Sequence, residues 1–299
     1  MLELKKKLKE IFNFARTLDG KDDPEPSGVS PVEISNRPEI LLLIKEIEST
    51  FPGRVESMLT LLRNGLSPKA KEIDRYNAAE ALSMAIYPTY KFSEFARIFL
   101  EDEPFIHYYE RFMDANNWHS LDRKYTLNQL LKLTLHLEAD AAECGTYKGA
   151  SAYLMCQAHL KTGRTVFLFD SFEGLSHPSN KDGDYWFEGA LSMPESALHE
   201  ALSEFSNYAA YKGWIPERFH EVENKRFGFI HIDVDLYQPT LASLTFFYQR
   251  LLPGGVILMD DYGFKSCPGA KQAADEFFSD LPEKIVGLPT GQAFIVKQP

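Results

Sequence analysis

Apolar residues recur along this chain with two different periods, and the change from one to the other comes near Asn117. From Val32 to Asn116 the spacing is helical, as in Ile40, Leu43, Ile44 and Ile47 and again in Val55, Met58, Leu59 and Leu62. No strand-like alternation and no catalytic constellation interrupts it. The same region carries Tyr76, Tyr87, Tyr90, Phe92, Phe95, Phe99, Phe105, Tyr108 and Tyr109. Helices packing on a neighbour account for these rings more cheaply than a ligand pocket does. Ahead of it, residues 19–31 (DGKDDPEPSGVSP) are acidic, aperiodic and rich in proline, glycine and serine, which predicts a flexible linker behind one loose helix.

Beyond Asn117 short apolar runs alternate with helical patterns. A helix over Thr126 to Leu137 precedes a strand at Ala139 to Glu143, and a glycine turn leads to a helix over Ala150 to Lys161 ended by Gly163. Further strands are predicted at Thr165 to Phe169, Ala209 to Tyr211, Phe227 to Ile232 and Val256 to Met259. Helices begin at Pro239 and near Ala270. Lys284 to Leu288 and Ala293 to Lys297, joined by Pro289-Thr-Gly-Gln292, read as a terminal hairpin, whose strands are antiparallel. The pattern predicts an α/β fold, a doubly wound, mostly parallel sheet of seven strands. Residues 1–31 are thus an arm and linker, 32–120 a helical accessory segment, and 121–299 the main domain.

Charge narrows the partners. Acids outnumber bases 43 to 32, for a formal net charge of −11, and no lysine or arginine run offers a basic face, so nucleic acid is not expected. The lysine-rich start, MLELKKKLK, is followed by no uninterrupted apolar stretch. The longest apolar runs, Ile40 to Ile44 and Val256 to Met259, fall far short of a membrane span. A cytoplasmic protein without membrane insertion is expected, with room for a homo-oligomer. Cys144, Cys156 and Cys267 have no paired spacing, so neither disulfides nor a thiolate metal site is expected.

Candidate chemistry clusters at the ends of the predicted strands. The first turn is Glu143-Cys-Gly-Thr-Tyr-Lys-Gly-Ala-Ser151. In open parallel sheets ligands bind beyond the carboxyl ends of the strands, so this turn faces a site. Gly145 and Gly149 permit close backbone approach, and Ser151 near the helix start is placed to meet a carboxylate. Glu143 suits a ligand bearing an amino group and would repel a pyrophosphate; the full GxGxxG fingerprint is missing. The second turn, Phe169-Asp-Ser-Phe-Glu-Gly174, puts Asp170 where such folds bind ribose hydroxyls, with Phe172 for an apolar contact to a base. Glu143, Gly145, Thr146, Ser151, Asp170, Ser171 and Phe172 are therefore candidate cofactor-binding residues.

Two later strands end in Ile232-Asp-Val-Asp-Leu236 and Met259-Asp-Asp-Tyr262. Carboxylates gathered at one rim repel unless a cation sits among them, and an oxygen-only set favours a hard ion such as Mg2+. A hydroxyl beside such an ion loses its proton more readily.

These segments, with Tyr211-Lys-Gly-Trp214, Asp235-Leu-Tyr-Gln-Pro-Thr240 and Leu252-Pro-Gly-Gly-Val256, resemble the macrocin O-methyltransferase family from about Leu121 onward. Its members are S-adenosylmethionine enzymes that methylate sugar hydroxyls on glycosylated natural products. The resemblance implies the methyltransferase variant of the Rossmann-like fold, S-adenosyl-L-methionine as cofactor, and magnesium held by Asp233, Asp260 and Asp261. It also implies Gly213 and Trp214 near the adenine, Asp233 within reach of the cofactor, and a glycoside as small-molecule acceptor. Asp233 and Asp235 are the candidate catalytic residues, and the sequence leaves open which is ligand and which is base. His177 to Pro194 reads either as a lid, with Tyr185 and Trp186 against a sugar, or as an anchored loop. The N-terminal helices lie outside the resemblance, so a phenolic acceptor stays open. So do two alternatives, a NAD- or nucleotide-sugar-binding oxidoreductase and a non-catalytic binding protein on the same sheet.

Overall fold

Strand formation after residue 139 follows from runs of apolar, often β-branched or aromatic residues that are buried on both faces, the mark of a parallel sheet covered by helices. The computed structural model describes residues 42, 45, 46, 48, 49, 53, 55–86, 98–112 and 120–299. The arm and linker of residues 1–31, the helix pattern from Ile40 to Ile47 other than residues 42, 45 and 46, and Tyr87, Tyr90, Phe92 and Phe95 lie outside the described residues. The chain divides into two compact units, residues 1–100 and 101–299.

In the first unit, α1 (Val55–Gly65) packs on α2 (Glu72–Ile86). Gly65 permits the approach, since a Cβ there would come within 2.7 Å of the Ala78 Cβ. Tyr76 is buried and its ring lies 6.0 Å from that of Phe99.

In the second unit, α3 (Glu103–Phe112) and α4 (Leu121–Leu131) precede β1 (Asp140–Cys144), α5 (Ala150–His159) and β2 (Val166–Asp170). Then come α6 (Glu195–Ala201), β3 (Tyr208–Lys212), β4 (Phe227–Ile232), α7 (Tyr237–Tyr248), β5 (Leu251–Met259) and α8 (Pro268–Phe278). The short β6 (Val286–Gly287) and β7 (Ala293–Val296) close the chain. The sheet runs β3-β2-β1-β4-β5-β7-β6. Strands β1 to β5 are parallel, and β7 pairs antiparallel with both β5 and β6. The predicted doubly wound sheet of seven strands with its terminal hairpin is therefore the observed one.

The largest differences in bounds are at one helix and one strand. The helix predicted over 126–137 is α4, which starts at Leu121 and gives way to turns after Leu131. There the Thr134 hydroxyl donates to the Leu131 carbonyl at 3.1 Å, taking an acceptor that helix continuation would use. Strand β5 begins five residues before Val256, because the backbone of Gly254 and Gly255 pairs with Lys297 beside β7.

The core lies on both faces of the central strands. Phe169, Phe219, Phe227 and Phe247 interlock edge to face on one side, with centroid separations of 4.9–5.9 Å. The register of the strands, with Cys144 opposite Phe169 and Ile232 and the latter opposite Met259, brings the acids and glycines of their exit turns to one edge.

Candidate active site

A cavity of about 350 Å³ opens beyond the carboxyl ends of β1, β2, β4 and β5. The position is the one that parallel α/β topology provides, where β1 and β4 diverge to opposite halves of the sheet.

One wall comes from β1 and β2. Gly145 turns at φ +83°, and a Cβ there would stand 1.8 Å from the Asp233 carbonyl oxygen, so only glycine fits between β1 and β4. Asp170 draws the loop onto β2. Its Oδ2 accepts from the amides of Thr146 at 2.7 Å and Tyr147 at 3.0 Å, and its Oδ1 accepts from the Phe172 amide at 2.7 Å. The Asp170 carbonyl takes the Gly213 amide at 3.0 Å, which sets Trp214 at the cavity edge beside Ile215.

The other wall is acidic. The Asp233 amide continues the ladder to the Cys144 carbonyl and the Asp260 amide to that of Ile232, each at 2.9 Å, which sets the two aspartates side by side. Asp235 adopts φ +59°, a left-handed backbone that costs a non-glycine residue about 1 kcal/mol or more. Its amide donates to Asp261 Oδ2 at 2.8 Å, and its own Oδ1 accepts from the Cys267 thiol at 3.4 Å. Burial, and then the charge of Asp233, pushes the Asp235 carboxyl up to about 7. Asp261 is raised well above the usual carboxylate range by burial and by its neighbours Asp235 and Asp233. These are groups held in their charged form only at a cost that a cation would relieve.

Behind the acids lies a buried polar chain. His231 Nδ1 is 2.8 Å from Glu143 Oε1 and its Nε2 3.3 Å from Asp260 Oδ1. Gln292 Nε2 donates to the same Asp260 oxygen at 2.6 Å, and Arg123 forms an ion pair with Asp260 Oδ2. Lys124, the next residue, points into the interior and donates to Ser151 Oγ at 2.5 Å; burial lowers its pKa to about 8.

Of the residues singled out in the sequence, Gly145, Asp170, Ser171, Trp214, Asp233, Asp235 and Asp261 line the cavity. Thr146, Phe172 and Gly213 stand behind it, contributing backbone amides to Asp170. Glu143, Ser151 and Asp260 are buried away from it, engaged by His231, by Lys124, and by Arg123 with Gln292. The acids separate into two groups whose ligating atoms lie within 4.8 Å of one another: Asp233 and Asp260 with His231, and Asp235 and Asp261 with Cys267. The fold thus adds an imidazole and a thiol to what spacing presented as an all-oxygen set. For His231 a signal existed, since it lies two residues before Asp233 on a strand and in register with Glu143. For Arg123, Gln292 and Cys267 there was none, because each arrives from a distant element.

Residues 177–194 are anchored at both ends, at the far one by the Gly189 amide donating to the Leu175 carbonyl at 2.9 Å and the Leu175 amide donating to that of Ala190 at 2.8 Å. Asp182, buried, accepts from the Ser179 amide and hydroxyl at 2.7 Å and from the Tyr237 amide at 2.6 Å, fastening the segment to the start of α7. Gly269 leaves room for it, as a Cβ there would lie 2.0 Å from Asp182 Oδ1. Farther along, the Trp186 indole donates to the Cys267 sulfur at 3.3 Å, and Tyr185 packs edge-on against it with 53 % of its surface exposed at the cavity mouth.

The same core is found in known proteins. The rhamnosyl-tetracenomycin-C 4'-O-methyltransferase of Streptomyces olivaceus is 30% identical over 148 residues, 44% of this chain and 56% of that protein. Demethyldecarbamoylnovobiocin O-methyltransferase of Streptomyces niveus is 29% identical over 176 residues, 51% of this chain and 64% of its own length. The matched stretch therefore spans less than two thirds of either relative. Among solved structures, the O-methyltransferase NovP superposes with a TM-score of 0.51 at 20% identity, over 62% of this chain and 84% of its own. The calicheamicin methyltransferase CalS11 gives 0.52 at 15% identity, over 93% and 98%, a likeness of fold. The family model of macrocin-O-methyltransferase (TylF) matches residues 125–283, more than half of the sequence and all of the strands from β1 to β5 that form the cavity, so the chain belongs to the macrocin-O-methyltransferase family.

Proposed function

We propose that this protein is an S-adenosylmethionine-dependent O-methyltransferase that acts on a sugar hydroxyl of a glycosylated small molecule or polysaccharide. The observation that carries the reading is a single cavity with a glycine-and-aspartate wall facing a wall of buried carboxylates. The strand order, with an antiparallel β7, favours it over the dinucleotide oxidoreductases, whose sheets are built from two parallel halves. The Streptomyces olivaceus relative, named for 4'-O-methylation of a rhamnosyl-tetracenomycin, favours a glycoside acceptor. The three free, buried cysteines are in keeping with a cytoplasmic setting.

S-adenosylmethionine supplies an electrophilic methyl group on sulfur. Asp170 and Ser171 bind the ribose side, Trp214 and Ile215 offer an apolar surface to the base, and Gly145 lets the backbone come close. Thr146, Phe172 and Gly213 hold these groups in place, while Ser151 and Glu143 support the loop from behind. A hard divalent cation such as Mg2+ would be held by carboxylates of the acid wall, Asp233 and Asp260 from one group and Asp261 from the other, and would acidify an acceptor hydroxyl. Asp235, strained and desolvated beside them, is placed to take the hydroxyl proton, with Asp233 as the other candidate. Tyr185 and Trp186 at the mouth offer aromatic faces to a sugar ring.

The test is incubation with methyl-labelled S-adenosylmethionine and a panel of glycosides, read by mass spectrometry of the products. Transfer to a sugar hydroxyl, lost on exhaustive chelation, is expected. Calorimetric binding of NAD without binding of S-adenosylmethionine would overturn the assignment, and undiminished transfer after chelation would remove the metal.

A further inference from the structure

The acid wall already contains a cation. Arg123, in the first turn of α4, lines the cavity and forms an ion pair with Asp260, a residue with no exposed surface. Its guanidinium carbon also lies 4.8 Å from the ring centroid of Phe264, a second residue of the cavity lining. Both Asp260 oxygens are engaged: Oδ1 by Gln292 at 2.6 Å and by the facing His231 ring at 3.3 Å, Oδ2 by Arg123. Asp233, Asp235 and Asp261 face the cavity, whereas Asp260 does not.

Arg123 brings the positive charge of a guanidinium to the wall. Its charge also reaches beyond its own partner, since it counteracts the upward shift of both Asp235 and Asp261. A divalent ion entering the wall therefore meets one carboxylate already neutralised and a like charge at its edge. If Asp260 is to become a ligand, the guanidinium has to leave its Oδ2.

We propose that Arg123 is the resident counter-cation of the acid wall and exchanges with the divalent metal at Asp260, so that the metal binds only by displacing it. This rests on the metal part of the function proposed above. The Phe264 face, against which the guanidinium already lies, is where it remains once Asp260 is released. Arg123 is in this sense a positioning residue: it holds Asp260 in place when no metal is bound, and it weakens metal affinity by the same interaction.

The decisive measurement is Mn2+ titration of the full chain without methyl donor, followed by the electron paramagnetic resonance of free Mn2+. Arg123→Gln is expected to bind at least about tenfold more tightly than the natural protein. Arg123→Lys, which keeps the charge, is expected to stay within about threefold of it. Equal or weaker binding by Arg123→Gln overturns the exchange. In the natural protein labelled with 15N-arginine, the Arg123 side-chain resonance, assigned through the lysine variant, should move as Mg2+ is added; a resonance that stays in place while metal binds also overturns it. No Mn2+ binding by any of the three proteins removes the exchange together with the metal. Methyl-donor binding, measured separately by calorimetry, still decides the rest of the proposed function.

Discussion

At the ends of β1 and β2 the charge of Asp170 is met by the amides of Thr146, Tyr147 and Phe172. At the ends of β4 and β5 Asp235 and Asp261 stand together with the charge of Asp233 nearby, and both are pushed up in pKa by burial. The first wall is finished by the fold itself: hydrogen bonds satisfy its one acid and set the loop where a ligand is received. The second is stable only in company with positive charge, and Arg123 is part of that company. The difference teaches that the two walls answer to different partners, a donor molecule on one side and a cation with an acceptor hydroxyl on the other.

That separation can be broken deliberately. The largest effect is expected from Asp261→Asn, which retains an oxygen for the Asp235 amide but removes a charge from the acid wall. Methyl transfer should fall by about 10³-fold in kcat/KM, while calorimetry shows donor affinity changed by less than about threefold. A parallel loss of donor binding would mean that the walls are not independent.

Gly145→Ala attacks the seam between them. With 1.8 Å to the Asp233 carbonyl and a positive φ, a methyl group there should cost about 3 kcal/mol in denaturant unfolding and weaken both walls together. A variant of natural stability would show that the β1 and β4 exits are not in contact.

The buried lysine offers a pH-dependent comparison. Lys124 falls from an ordinary 10.5 to about 8 because burial disfavours its charge. A lowered lysine pKa means that the unfolded chain binds more protons between those values, so stability rises with pH there. Below about 8 the full penalty applies, and above 10.5 it is gone. The stability advantage of Lys124→Met over the natural chain should therefore shrink by about 2–3 kcal/mol as pH climbs from below 8 to 10.5. A difference that is flat with pH would mean that Lys124 is not buried as a charge.

The smallest effect belongs to the mouth. Tyr185→Ala should raise the acceptor KM by about fivefold through lost stacking, with kcat little changed. An unaltered KM would take residues 177–194 out of acceptor recognition and leave only their anchoring by Asp182.

Strand positions were legible because they depend on short-range facts. Phe227 to Ile232 is apolar throughout and forms β4 with the predicted bounds, and β1 and β2 each lie one residue from expectation. Acids directly after such strands had to share the carboxyl edge of a parallel sheet, which is why Asp233, Asp235 and Asp261 could be named. The α4 boundaries were less legible, since the end depends on a competing hydroxyl at Thr134.

The sequence by itself therefore determined the order of elements, the glycine turn after β1, and the rim on which the acids collect. Only the tertiary structure decided how each buried charge is answered. Glu143 finds His231 across 88 residues, Asp260 finds Gln292 across 32 and Arg123 from a helix before the first strand. Periodicity and turn chemistry act within a few residues and leave a mark on the chain. The partner of a buried charge is selected by the packing of distant elements, where the cost of leaving it unanswered is imposed only once water has been excluded.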